Sequence, residues 1–238
     1  MQPSDLSMFA VCMHNAPLRF KSEANLQTIV ANACNLTDTE KATYLDNGQL
    51  LDDSGDNISW LNPWWGELTA IYWLLQNDTS PLVGNCQYRR RWQEQALAPS
   101  NDNVLYVPEP AVFGASLAEQ MAEGHASFNG TAMMLEAATT INFPLTVQDM
   151  EKVLRQNHFH GCLMARGPSK EYKHFMSVLL RCMTPIWHNN SDKIMTLHGY
   201  DRRAIAFMAE RMMTAIILCR EKLFDFEIMT APIEFIGP

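Results

Sequence analysis

The chain is short of positive charge. Its 238 residues hold 18 Lys and Arg against 26 Asp and Glu, a formal charge of −8, which argues against a general nucleic-acid binder. It also lacks paired cysteines. Cys12, Cys34, Cys86, Cys162, Cys182 and Cys219 show neither CxxC nor zinc-type spacing and sit mostly in apolar surroundings, so they read as reduced core residues of a cytoplasmic protein. No apolar run approaches the roughly twenty residues of a bilayer span. No secretory leader is visible at Met1–Asp5, and the expected location is cytoplasmic, with peripheral contact at the inner membrane left open. No internal repeat or low-complexity segment interrupts the chain, and its length suits one domain over 1–238.

What the chain does have is concentrated between Asp52 and Trp92. This stretch opens with Asp52, Asp53 and Asp56 around Gly55, passes through a Trp-rich segment and closes on Arg89, Arg90 and Arg91 between Tyr88 and Trp92. Asn62-Pro63 reads as a helix start, and the helix is expected to run to about Gln76 with Trp64, Leu68, Ile71, Tyr72 and Leu75 as its apolar stripe. Glu67 then lies near the positive end of the helix dipole, as a stabilising charge or a ligand contact. Leu82–Cys86 reads as a buried strand leading into the arginines. Strand alternation would place Arg89 and Arg91 on one side with Gln87, and Tyr88 and Arg90 on the other. Adjacent guanidiniums repel unless something negative sits among them. They grip a diphosphate at the carboxyl end of a strand, or they form a solvated charge run or pair internally with Asp52, Asp53, Asp56 and Glu67. The three aspartates fit neither a calcium-binding EF-hand loop nor an Asp-any-Asp pair, and a turn is the better description.

Elsewhere, Met8–Met13 reads as a first buried strand. The following loop makes His14 and Asn15 candidates for nucleotide contact. Residues 24–33 read as a helix or as a helix and strand, and 36–48 as loop with a helical turn. A loop-rich passage from Arg91 to Pro110 contains a short strand at Val104–Val107. Helices are expected at 116–126, closed by His125, at 131–140, and from Thr146 to before Asn157. His158 and His160 would share one face of a strand, without a third metal ligand nearby in sequence. Gly161–Ala165 reads as a buried strand, Arg166–Pro168 as a loop, 169–183 as an amphipathic helix and 188–199 as turns. A long helix is expected over 202–222, where Glu210 and Arg211 interrupt an apolar neighbourhood. Glu210 there is an ion-pair partner, a ligand contact or part of a solvated face. Short strands end the chain from Phe226. Strands alternating with helices indicate an α/β protein with a mixed, mostly parallel central sheet flanked by helices.

Several of these residues together resemble a family of domains of unknown function found in bacterial capsular-polysaccharide and lipopolysaccharide glycosyltransferases. The matching positions are Gly55-Asp56-Asn57-Ile58-Ser59, Asn62, Glu67-Leu68-Thr69, Tyr72-Trp73, Tyr88-Arg89-Arg90, His125 and Ala209-Glu210-Arg211-Met212. Two positions depart from it: Gln87 stands where the family has His, and Gly161-Cys162-Leu163 where it has an Asn-Met-Phe strand. The resemblance implies a GT-A-like fold and a nucleotide-sugar-dependent transferase, with a UDP-sugar donor and a saccharide or lipid-linked saccharide acceptor. On that reading Arg89 and Arg90 stabilise the departing diphosphate, with a metal ion or in place of one, and Tyr88 donates a hydrogen bond. Glu210 is the expected base, ahead of Glu67 and Asp56. Asp56 and Asn57 hold nucleotide or sugar hydroxyls, and His125 and Arg211 join the substrate-binding set. No cofactor is assigned beyond the donor, and no metal ligand is named. Two rivals remain: a non-catalytic carbohydrate-binding subunit, and a phosphosugar hydrolase.

Overall fold

The computed structural model describes residues 6–20, 26–93 and 103–237. The segment read as lacking a leader, the start of the ambiguous 24–33 stretch and most of the loop after Arg91 lie outside the described residues. In chain order the elements are β1 (Leu6–Met13), β2 (Leu26–Ala31), α1 (Asp38–Asp46), β3 (Leu50–Leu51), α2 (Asn62–Trp65), α3 (Leu68–Asn77), β4 (Leu82–Gln87) and β5 (Arg90–Trp92). Next come β6 (Val104–Pro108), β7 (Ala111–Val112), α4 (Leu117–Gly124), α5 (Gly130–Ala137), α6 (Val147–Leu154), β8 (His158–Phe159) and β9 (Arg166–Pro168). The chain closes with α7 (Ser169–Met195), α8 (Ala204–Leu218), α9 (Arg220–Leu223), β10 (Glu227–Ala231) and β11 (Ile233–Phe235).

The central sheet runs β3-β2-β1-β4-β9-β6-β10. Along it only β9 is antiparallel to its neighbours; β5 and β11 add an antiparallel extension beyond β4. This is the mixed, mostly parallel α/β sheet expected from the sequence. Strand alternation separates its two faces. Phe9 and Val11 enter the main core with α3, α7 and α8, while Met8 and Ala10 enter a smaller core with Cys86, Trp92 and Met164. The chain leaves β1 for β2 and β3 on one side and for β4 on the other. The carboxyl ends of β1 and β4 therefore flank a switch point, where open α/β sheets leave a crevice.

Several expectations are corrected. The helix read as continuous over 62–76 is two helices, because Gly66 adopts φ 56° and ψ −135°, a conformation essentially reserved for glycine. A Cβ there would lie 2.9 Å from the Arg203 guanidinium and 3.0 Å from Ala206, so the glycine also lets α8 approach. The ambiguous stretch around 26–31 is strand β2. Segment 36–48 contains helix α1, set by a complete capping box between Thr37 and Glu40; it buries no residue, so its sequence shows no apolar stripe. Arg166–Pro168 is a strand rather than a loop. Helix α7 continues twelve residues past Met183, through Pro185, because Ile186, Asn190 and Ile194 are buried and Trp187 packs against Trp64 and Trp65. The long C-terminal helix starts at Ala204 after a 3-10 turn over Gly199–Arg203 and breaks at Cys219.

The turn expected around the aspartates is present, built around Asp52. This carboxylate is fully buried and accepts from Asn32 N–H at 3.1 Å, Ala33 N–H at 2.9 Å, Ser59 Oγ at 2.5 Å and Thr69 Oγ1 at 2.7 Å. Burial lifts its carboxyl above the usual range, against the pull of these four donors. Tyr72 donates to Asp56 at 3.2 Å and the Trp73 indole to Ser54 O at 2.9 Å, tying the same turn to α3. Removing Asp52 would strand several buried donors at once. We expect Asp52→Ala to lose about 3–5 kcal/mol in urea unfolding; a loss below about 1 kcal/mol, the scale of a single exposed hydrogen bond, would contradict this role.

Candidate functional site

A cleft of about 940 Å³, its open mouth included, lies over the carboxyl ends of β1 and β4. Several regions of chain line it. The sheet supplies Val11, Met13, Ala31, Gln87, Tyr88, Arg89 and Arg90; the segment joining α2 to α3 supplies Glu67. Across from these stand Gln120 and His125 at α4, Tyr200 and Arg203 on the 3-10 turn, and Phe207, Glu210 and Arg211 on α8.

The arginines reach this cleft by a route that strand alternation does not anticipate. The chain reverses at Tyr88-Arg89, so β5 folds back antiparallel and Gln87 pairs with Arg90 in the ladder. Arg89 and Arg90 both line the cleft. Arg91 departs to Glu234, its Nε donating at 2.8 Å. The expected grouping of Arg89 with Arg91 is therefore overturned by the turn. Arg89 sits over the rings of Tyr88 and Phe235 at 5.5 and 5.2 Å, with its Nε buried and unpartnered among the described residues.

Gln87 joins the cationic and anionic sides. Its carbonyl accepts from Arg90, while its amide donates at 2.6 Å to both Glu67 oxygens and at 2.8 Å to Cys162 O. Glu67 is the N-cap residue of α3 but makes no side-chain cap bond; its side chain turns to Gln87. Burial, reinforced by the charge of Glu210, raises the Glu67 carboxyl to about 7, with Arg203, Gln87 and Arg90 pulling it down.

Glu210 is fixed from the other side. Its carboxylate accepts from Cys162 N–H at 3.0 Å and lies 3.7 Å from Arg211 Nη1. Cys162 can serve both carboxylates' networks because 161–165 is not the expected strand. Cys162 and Leu163 take φ values of 78° and 45°, uncommon for non-glycine residues. Buried Asn85 supports this turn by donating to Leu163 O at 2.9 Å and accepting from Ala165 N–H at 3.0 Å. The Cys162 thiol itself is pushed up to about 12, chiefly by burial, and is a poor nucleophile at neutral pH.

His125 closes α4 as its C-cap residue, as expected, and is buried. It bonds Asp201 at 3.0 Å and stacks on Phe207 at 4.0 Å between ring centres. Arg211, 2% exposed, donates to Phe207 O at 2.9 Å and to the Gln120 side chain. His14 and Asn15 line a neighbouring recess with Asn32, Asn35 and Glu40, which shares Met13 with the cleft. Asp56 and Asn57 lie outside the cleft, occupied in bracing the Asp52 turn. His160 does not share a strand face with His158: β8 ends at Phe159, and His160 is buried against Pro108 O at 2.9 Å. Among the described residues, no three His, Cys, Asp or Glu side chains converge as metal ligands. The sequence reading missed Gln120, Tyr200, Arg203 and Phe207, which join the cleft only through the packing of α4 and α8 against the sheet.

The titration of Glu67 yields a measurable sign. The folded protein holds this proton more tightly than the unfolded chain, so its contribution to stability is full below pH 4.5 and lost as pH rises through about 7. The wild-type unfolding free energy should fall over that window relative to Glu67→Gln, by up to roughly 3 kcal/mol. Parallel pH profiles for the two proteins would contradict the assignment.

Among solved structures, the chain is similar to one titled WbbM bifunctional glycosyltransferase, in its apo form. The TM-score is 0.74 at 16% sequence identity, covering 98% of this chain and 45% of that one. The two share the fold, and this chain spans less than half of that protein's length. A comparison with curated protein sequences finds no significant match. Among the described residues, no helix is long and apolar enough to cross a membrane. A family model covers residues 9–221, nearly the whole chain, and the protein belongs to the family it describes, a domain of unknown function designated DUF4422.

Proposed function

We propose that the protein is a nucleotide-sugar-dependent glycosyltransferase, transferring a hexose from a UDP-sugar to a saccharide or lipid-linked saccharide acceptor in bacterial surface polysaccharide synthesis. One observation carries the reading: Arg89 and Arg90 line the same cleft as Glu210, at the switch point of the sheet. The shared fold with a glycosyltransferase supports the class. The choice of UDP and of the polysaccharide setting rests on the motif resemblance.

The chemistry follows from these positions. As the bond from the anomeric carbon to the diphosphate oxygen breaks, negative charge grows on the leaving group, and preorganised cations stabilise it. Arg89 and Arg90 supply that charge, with the Tyr88 hydroxyl as a further donor. The nucleoside would extend over the end of β1 toward His14 and Asn15. In a direct displacement, the acceptor oxygen bonds to the anomeric carbon as its proton passes to a carboxylate. Two carboxylates in one cleft separate into roles when one retains its proton more strongly. Glu67, raised to about 7, is the proton-holding member; Glu210 is the base, and Arg211 with the Cys162 N–H orients it.

Thermal unfolding with a panel of UDP-hexoses, followed by assay of free UDP with and without acceptor, tests the proposal. The wild type should be protected and should release UDP only with an acceptor. Release without acceptor would indicate a hydrolase, and protection without release a binding subunit. Arg90→Ala should weaken donor binding by about tenfold to a hundredfold, the scale of a charge-assisted contact of 1.5–3 kcal/mol. Unchanged protection would remove the diphosphate assignment. Glu210→Gln, which keeps an acceptor for the Cys162 N–H, should retain protection and lose roughly 10²–10⁴-fold in transfer; intact turnover would remove Glu210 as base.

A further inference from the structure

Beside Arg203 and Arg211, the α4–α8 side of the cleft carries the aromatic side chains Tyr200, Phe207 and His125. Resting on the transferase reading, we propose that Tyr200, backed by Phe207 and His125, is the platform on which a sugar ring of the acceptor stacks, with the Gln120 amide donating to its hydroxyls. Tyr200 is 68% exposed, a large aromatic ring open to the cleft. Its other contacts hold it in place. The ring lies 4.7 Å from Phe207 and 5.8 Å from His125, stacked on the latter at 22°.

The segment carrying Tyr200 is pinned by its neighbour Asp201, which takes hydrogen bonds from His125 Nδ1 at 3.0 Å and from the Ser127 hydroxyl. Both partners lie just after α4, so the 3-10 turn and the end of α4 present the ring as one unit. A ring held by such contacts loses little freedom when a ligand stacks on it. The polar rim is also oriented. Arg211 has only donors, so the Gln120 carbonyl oxygen faces it and the amide NH2 of this cleft-lining side chain is left as a donor.

A pyranose matches this combination. Its C–H faces are apolar and its hydroxyl edges are polar, as an aromatic surface beside an amide requires. A nucleobase is the other planar group that could use the ring. On the transferase reading Arg89 and Arg90 take the diphosphate and the nucleoside lies over the end of β1, which leaves the aromatic group beside α4 and α8 to the acceptor.

Saturation-transfer NMR of the full chain with UDP and each of methyl glucoside, galactoside, mannoside and N-acetylglucosaminide provides the test, with UDP affinity read separately by thermal protection. The wild type should saturate C–H protons of one sugar face. Tyr200→Ala should weaken saccharide binding by about tenfold while UDP affinity stays within about twofold, and Tyr200→Phe should restore the signal, since stacking rather than the hydroxyl is at work. No saccharide signal from the wild type, or an unaltered signal from Tyr200→Ala, would overturn the platform. So would a loss of UDP affinity in Tyr200→Ala, which would assign the ring to the base. A saccharide signal lost in Tyr200→Ala without any UDP binding by the wild type would support the platform while removing the transferase reading.

Discussion

The site depends on the hydrogen-bonded path from Arg90 through Gln87 to Glu67 and, by way of Cys162, to Glu210. Every member would be expensive to bury alone. A carboxylate taken from water without a partner is destabilised by several kcal/mol, and neighbouring carboxylates raise that cost further. Gln87 relieves the conflict by donating to the Glu67 carboxylate while accepting from the Arg90 guanidinium, with its own polar atoms satisfied in both directions. The peptide of Cys162 then links the two acidic side chains without placing another charge between them. Removing any one of these groups leaves at least one other exposed to the low-polarity interior.

That path exists because three backbone departures from regular structure meet at one place. The reversal at Tyr88-Arg89 sends Arg91 away and brings Arg90 back over the sheet. The glycine-specific conformation at Gly66 turns Glu67 inward and admits Arg203. The left-handed turn at Cys162-Leu163, supported by Asn85, points a backbone N–H at Glu210 and the following carbonyl at Gln87. The regular elements supply the rigid frame: β1 and β4 fix the floor, and α8, buried along almost its whole length, carries Glu210 and Arg211 against it. The Asp52 hub and the Tyr72 and Trp73 contacts stiffen the turn that precedes α2.

Much of the frame was legible in the sequence because apolar periodicity reports burial. The strands at Met8–Met13, Leu82–Cys86 and Val104–Val107 and the helices ending near His125 and Leu154 followed from it. The irregular connections were less legible. Alternation extrapolated through Tyr88-Arg89 as though the strand continued, since neither residue is a usual turn former. Gly161–Ala165 looked like a buried strand because it is buried; nothing local reveals that Asn85, distant in sequence, satisfies its backbone in a left-handed turn. The helix expected over 169–183 runs on through Pro185, because packing of Ile186, Trp187 and Ile194 outweighs the lost hydrogen bond. Arg89, Arg90, Glu67, Glu210, Arg211, Tyr88 and His125 were named from the sequence and meet in the cleft. Gln120, Tyr200, Arg203 and Phe207 carry no local signal, because their position depends on how helices dock. Asp56 and Asn57 brace a turn instead.

The most direct measurement is a crystal structure of the protein with UDP bound. The account predicts the diphosphate between the Arg89 and Arg90 guanidiniums, the uridine over the end of β1, and the terminal phosphate turned toward the space before Glu210. A nucleotide bound elsewhere, or one seated in the cleft with its phosphates directed away from both arginines, would contradict it.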